Sequence, residues 1–288
     1  MSPGGRGGHP SVTTAREVKG EAMGCAEVNG VPLYVEEHGS GEPLVLLHGG
    51  IGSGEMFAPL LPALSARRRV VLVDLQAHGR TADVDRPLRP ELMADDVAAL
   101  VAHLGLPRAD VLGYSLGAAV ALRTAVQHPG AVRRLVLVSA ALRRGGWHAE
   151  ALAGMDAMSA EAAEALKQSP AYASYARHAP RPEDWPVLVG KIAEQLHRDF
   201  DWTAEAARIT APTLLVFGDA DAVRPDHMVE AYALLGGGLR DPGWDGSDRS
   251  TARLAVLPGA THYDILTHPL LAGTVLPFLE APDPQTAA

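Results

Sequence analysis

Residues 109–128 read ADVLGYSLGAAVALRTAVQH: a strand-like entry at Val111-Leu112, a G-x-S-x-G turn at Gly113 to Gly117, and an Ala/Leu/Val-rich helical exit that stops at Pro129-Gly130. A serine held on a tight strand-to-helix turn projects out of the backbone, and the turn is crowded enough to need glycine two residues to either side. The helix that starts behind it turns its partly positive N-terminus toward the hydroxyl, where negative charge can develop. Ser115 is therefore the candidate nucleophile.

Outward from this turn, short apolar runs recur: Leu44 to Leu47, Val70 to Val73, Leu135 to Val138, Leu214 to Phe217 and Leu254 to Leu257. They lack polar alternation, which is how strands read when helices cover both faces of a parallel sheet. The run Gly30 to Glu36 alternates and is expected at an antiparallel N-terminal edge. Helical spacing of Met93, Val97, Leu100, Val101 and Leu104, stopped by Gly105, fills one of the gaps. Strand and helix in turn imply right-handed crossovers and a doubly wound, mostly parallel α/β sheet. The alternation lapses over residues 141–208, an Ala- and Glu-rich stretch expected to form a helical cap insertion. The core is thus expected at 23–140 and 209–280, with a flexible tail at 281–288. GGGLRDPGWDGSDRS, from Gly236 to Ser250, reads as a long solvated loop whose aspartates lack metal-ligand spacing.

A formal charge of −9 gives no basic face for a nucleic-acid partner. The single cysteine, Cys25, allows no internal disulfide. Residues 1–22 hold Gly, Pro and Ser but no apolar core of signal-peptide length, and no run approaches a membrane span. A disordered leader and a cytoplasmic protein, with no membrane partner, are the expectation.

A tetrahedral intermediate at Ser115 needs two N–H donors. Leu116 would supply one. The loop His48-Gly49-Gly50-Ile51-Gly52 would supply the other, from Gly50 in preference to Ile51. Among twelve histidines, only His262 closely follows the last strand, beyond whose carboxyl end catalytic groups of such sheets lie. His48 and His78 are expected to order loops, and His268 to lie in the final helix. For the acid, Asp219 and Asp221 compete after the strand Leu214 to Phe217. No carboxylate follows Leu135 to Val138, where Ser139-Ala140-Ala141-Leu142 stand.

With these pieces in hand, residues 25–280 resemble the α/β-hydrolase superfamily, in its bacterial esterase, lactonase and cofactor-free perhydrolase branch. The resemblance rests on four motifs in order: His48-Gly49-Gly50, Gly113 to Gly117, Gly218 to Asp221 and Thr261-His262. It implies that Asp221, last in the G-x-x-D turn, is the acid. Its place farther out on the loop, with Asp219 at the turn itself, agrees. Two departures are the lengthened spacing from Asp221 to His262 and Thr261 in place of a frequent glycine. Ser115 at the elbow sets the chain apart from dehalogenases and epoxide hydrolases, which use aspartate there.

The expected chemistry is hydrolysis of a small, largely apolar ester through an acyl-enzyme, without metal or organic cofactor. A lactonase, perhydrolase or carbon–carbon bond hydrolase with the same three residues is the alternative, as is a ligand-binding receptor on this scaffold. Trp147 and Trp185 in the insertion, with Met56 and Phe57 after the oxyanion loop, are the candidate pocket walls.

Overall fold

The computed structural model describes residues 21–282. Eight strands form one sheet: β1 (Glu21–Val28), β2 (Val31–His38), β3 (Pro43–Leu47), β4 (Arg69–Asp74), β5 (Ala109–Tyr114), β6 (Val132–Val138), β7 (Thr213–Ala220) and β8 (Arg253–Thr261). Their spatial order is β1-β2-β4-β3-β5-β6-β7-β8. β1 pairs antiparallel with β2, and β2 with β4; every other pairing is parallel. Glu21 and Ala22, expected in the leader, instead open β1, where they pair opposite His38 and Glu37. The rest of the leader and residues 283–288 of the tail lie outside the described residues.

Among the described residues there are ten α-helices: α1 (Leu61–Ser65), α2 (Pro90–His103), α3 (Leu116–Gln127), α4 (Ala149–Ala157), α5 (Ala162–Leu166), α6 (Pro170–His178), α7 (Trp185–His197), α8 (Thr203–Ala206), α9 (Pro225–Leu234) and α10 (Leu270–Glu280). The inner strands divide their side chains between two cores. Val45, Leu47, Val71, Val73, Val111, Leu135, Leu137, Leu215 and Phe217 enter the core shared with α2, α3 and the helices after β6. Leu44, Leu46, Val70, Leu72, Leu112, Val136, Val138, Leu214 and Val216 enter the other, against α10. Two covered faces are the physical reason these strands carry unbroken apolar runs. β8 differs from that expectation: it is the edge strand, and Val256 is 46% exposed.

From β3 the chain steps to β4 on one side, then returns to β5 on the other side of β3. Such a reversal of winding opens a crevice at the carboxyl ends of β3 and β5. The segments leaving those two ends are His48 to Gly52 and Ser115. Five helices, α4 to α8, lie between β6 and β7. α7 brings Ile192, Gln195 and Leu196 to the cavity at that crevice. Lys191 fastens α7 to the core through Asp83 Oδ2 at 2.6 Å and the Val84 and Arg86 carbonyls. No helix among the described residues is long and apolar enough to cross a membrane.

Candidate active site

Ser115 stands between β5 and α3 with φ 52° and ψ −113°, a conformation that a side chain with a Cβ adopts only under strain. Its N–H is tied to the Val138 carbonyl at 3.0 Å. The flanking glycines are required by contact: a Cβ on Gly113 would lie 2.1 Å from the Gly117 carbonyl oxygen, and one on Gly117 would lie 2.1 Å from that of Leu47. Any larger residue at either place would push α3 away from the sheet.

Ser115 Oγ lies 3.1 Å from His262 Nε2, and His262 Nδ1 lies 3.1 Å from Asp221 Oδ1. Elements far apart in sequence thus bring hydroxyl, imidazole and carboxylate into one line. The Tyr114 hydroxyl donates to the His262 carbonyl at 2.7 Å and fixes the backbone beneath the ring. Asp221 is buried and held from several sides: Ser139 Oγ at 2.6 Å and the N–H groups of Gly218 and Val223, each at 3.1 Å. Burial alone would raise its pKa. The hydrogen bond and charge of His262, with the Ser139 and Val223 donors, instead hold the carboxyl below its ordinary range.

Asp219 does a different job. It is exposed, and its Oδ1 accepts from the Gly259 N–H at 2.8 Å, pinning the turn that leads to His262. The sequence marks Ser139 only as a position without a carboxylate after β6, with no signal of its contact with Asp221. It repeats the backbone of Ser115 one strand over, with φ 54° and its N–H on Val216 at 2.8 Å, so its hydroxyl is aimed at Asp221.

Gly50 and Leu116 border the same cavity as Ser115, and a Cβ on Gly50 would lie 3.9 Å from Leu116 Cδ2. The Ile51 N–H is already given to His78 Nε2 at 3.1 Å. His78 and His48 are wholly buried loop fasteners. The His48 Nδ1–H donates to the Gly49 carbonyl and its Nε2 accepts from the Leu75 N–H. The His78 Nδ1–H likewise donates to the Gln76 carbonyl. His268 lies just before α10, not inside it, because the 3₁₀ turn Ile265–Thr267 ends there.

Burial first, and for His78 the neighbouring His48, lower the two imidazoles from 6.5, to about 4 for His48 and about 3 for His78. Below pH 6.5 the unfolded chain takes up protons that the folded chain refuses, so stability falls as pH drops toward those values. Each histidine contributes up to about 1.4 kcal/mol per pH unit across that window. His78→Gln, which retains an acceptor, is expected to be less stable at pH 7 yet to lose stability less steeply between pH 6.5 and 4. Melting temperatures of both proteins against pH check this; parallel curves would contradict it.

The sequence profile of the α/β hydrolase fold family matches residues 42–219. The chain belongs to that family. A pimeloyl-[acyl-carrier protein] methyl ester esterase of Chromobacterium violaceum is 33% identical over 255 residues, spanning 82% of this chain and 93% of its own. Among solved structures, an E-2-(acetamidomethylene)succinate hydrolase superimposes with a TM-score of 0.71 at 23% identity, covering 90% of this chain and 99% of its own. The enol-lactonase of Burkholderia xenovorans LB400 gives a TM-score of 0.66 at 23% identity, covering 89% of this chain and all (100%) of its own. At such identities these two structures speak for the fold alone.

In this α/β-hydrolase-fold chain the cavity beside Ser115 has a volume of about 400 Å³. Its walls include Met56, Trp147, Met155, Met158, Phe200 and Trp202. Trp147 sets its ring edge against His262, 5.4 Å between centroids. Two residues expected at the walls are elsewhere. Phe57 is fully buried in the core against α10, beneath Met56, which packs on the same core and alone of the two reaches the cavity wall. Trp185 is also fully buried, its N–H on the Ala163 carbonyl at 2.9 Å and its ring against Tyr172 and Tyr175. It holds α5, α6 and α7 together.

The two tryptophans should therefore separate in mutation. Trp147→Ala is expected to alter preference among acyl chain lengths while leaving the melting temperature nearly unchanged. Trp185→Ala is expected to cost about 3–5 kcal/mol of stability and to reduce turnover of every ester in parallel. Chain-length profiles with melting curves read out both, and a reversed pattern would move Trp185 back to the pocket.

Proposed function

We propose that the protein is a serine hydrolase that cleaves a small, largely apolar carboxylic ester through an acyl-enzyme. The observation that carries this reading is the unbroken Ser115–His262–Asp221 hydrogen-bond chain opening onto an apolar cavity. Ser115 Oγ attacks the ester carbonyl while His262 Nε2 takes its proton. Asp221 keeps the imidazole in the tautomer with Nδ1–H and stabilises the imidazolium. The Gly50 and Leu116 N–H groups face the developing oxyanion. Collapse of the intermediate expels the alcohol, which takes the proton from His262. Water, deprotonated by His262, then attacks the acyl carbonyl; the acid leaves and Ser115 regains its proton.

The likeness to a methyl ester esterase supports ester cleavage over the other reactions this fold carries. Residues 141–208 act in this reading as a cap that closes the acyl pocket. Multiple-turnover release of nitrophenol from short acyl esters tests the proposal. A single stoichiometric burst would favour a slow ligand receptor instead.

Ser139 serves as a positioning residue in this scheme. Ser139→Ala removes one of three non-histidine donors to Asp221, leaving the Gly218 and Val223 N–H groups. The expected loss is about tenfold in kcat, roughly 1.4 kcal/mol, with KM nearly unchanged and the acid-side fall of activity moved to higher pH. An unaltered pH profile would assign Ser139 to packing alone.

A further inference from the structure

Among the described residues on the wall of the cavity beside Ser115, Arg144 is the one arginine, lysine or carboxylate and Gln195 the one side-chain amide. Arg144 opens the 3₁₀ turn Arg144–Gly146 after β6, and its N–H is tied to the Phe200 carbonyl at 2.9 Å. The side chain is 17% exposed. A permanent cation beside methionines and aromatics is costly unless its charge is answered. Among the described residues its side-chain acceptors are the Leu196 carbonyl, through NH1, and Asp156 Oδ1, through NH2. The first lies in the last turn of α7. The second is a carboxylate that is itself 61% exposed, so it offsets the charge from the solvent side. A guanidinium offers five N–H donors in a planar fork, and these two acceptors leave donors in hand. An apolar site needs no such group, and a wall built only to close α7 would be met by a neutral amide.

We infer that Arg144, seconded by Gln195, is an anion subsite that selects esters whose acyl chain ends in a carboxylate. The substrate class is then the mono-ester of a dicarboxylic acid: apolar along its length, with its ester group at Ser115 and its free carboxylate at Arg144. This rests on the serine-hydrolase reading and deepens it. A carboxylate on a guanidinium fork accepts charge-assisted, bidentate hydrogen bonds, and loss of such bonds is expected to cost roughly 10- to 150-fold in kcat/KM.

The test uses two series of methyl esters matched in chain length, one ending in methyl and the other in carboxylate. Wild type is expected to prefer the carboxylate at one or two lengths by at least tenfold in kcat/KM, mainly through KM. In Arg144→Gln that preference should vanish while the methyl-ended esters stay within about threefold. Arg144→Lys, with charge but no fork, should fall between. Asp156→Asn, an exposed change that removes the competing anion, should increase the preference. No carboxylate preference in wild type at any length, or equal loss on both series in Arg144→Gln, overturns the subsite while leaving ester hydrolysis standing. Binding by Ser115→Ala, read as a shift of melting temperature, keeps the two readings apart. If carboxylate-ended esters stabilise Ser115→Ala and fail to stabilise the Ser115→Ala/Arg144→Gln protein, the subsite holds even where wild type turns over no ester. Equal stabilisation of the two overturns it.

Discussion

Ser115→Ala is expected to lower ester hydrolysis by about 10⁴- to 10⁶-fold, the scale seen when a serine nucleophile is removed elsewhere. What survives would come from binding and the oxyanion donors, which need no serine hydroxyl. Little change in folding should accompany it. The side chain is only partly buried, and its one described side-chain hydrogen bond is to His262. Alanine inherits the same positive φ, so the strain of the turn is neither relieved nor increased. Steady-state rates on one activated ester, with melting curves for both proteins, measure this. A variant that retains more than a hundredth of the activity would show that another group attacks.

The second large effect separates the two aspartates. Asp221→Asn keeps the size and the acceptor oxygen but removes the charge that would stabilise an imidazolium at His262. Its amide can also donate to His262 Nδ1 and select the wrong tautomer. A loss of about 10³- to 10⁴-fold is expected, as in other enzymes with this arrangement. Asp219→Asn should stay within about tenfold, or roughly 1.4 kcal/mol of barrier. Its role toward the Gly259 N–H is that of an acceptor, and an asparagine carbonyl oxygen can fill it. If Asp219→Asn is the inactive protein and Asp221→Asn the active one, the assignment of the acid is wrong.

Much of this architecture could be read from the residues because it is governed by local chemistry. Leu44 to Leu47 and Leu135 to Val138 are apolar at every position because alternate side chains enter opposite cores. Gly113 and Gly117 announce the turn at Ser115 because no other side chain fits between α3 and the sheet. What escaped depends on tertiary neighbours. Nothing in the pair Met56-Phe57 says which of them faces the cavity, since a four-residue turn has too short a period to define a face. Trp185 and Ile192 share α7, yet one is fastened among α5 and α6 and the other reaches the site. Ser139 reaches Asp221 only because β6 lies beside β7, which puts its hydroxyl 2.6 Å from the carboxylate. Arg144 is legible as an arginine but not as part of a pocket wall, because Phe200 and Leu196 come to it from beyond α4, α5 and α6.

In the proposed mechanism Ser115 is the nucleophile and His262 activates it. A fluorophosphonate reports this directly, because it forms a stable bond only with a serine whose proton a neighbouring base removes. Intact-mass and peptide analysis of the treated protein should find one adduct, on the peptide carrying Ser115, with none on Ser115→Ala and greatly slowed labelling of His262→Ala. An adduct on any other serine, or equal labelling of Ser115→Ala, would contradict the account.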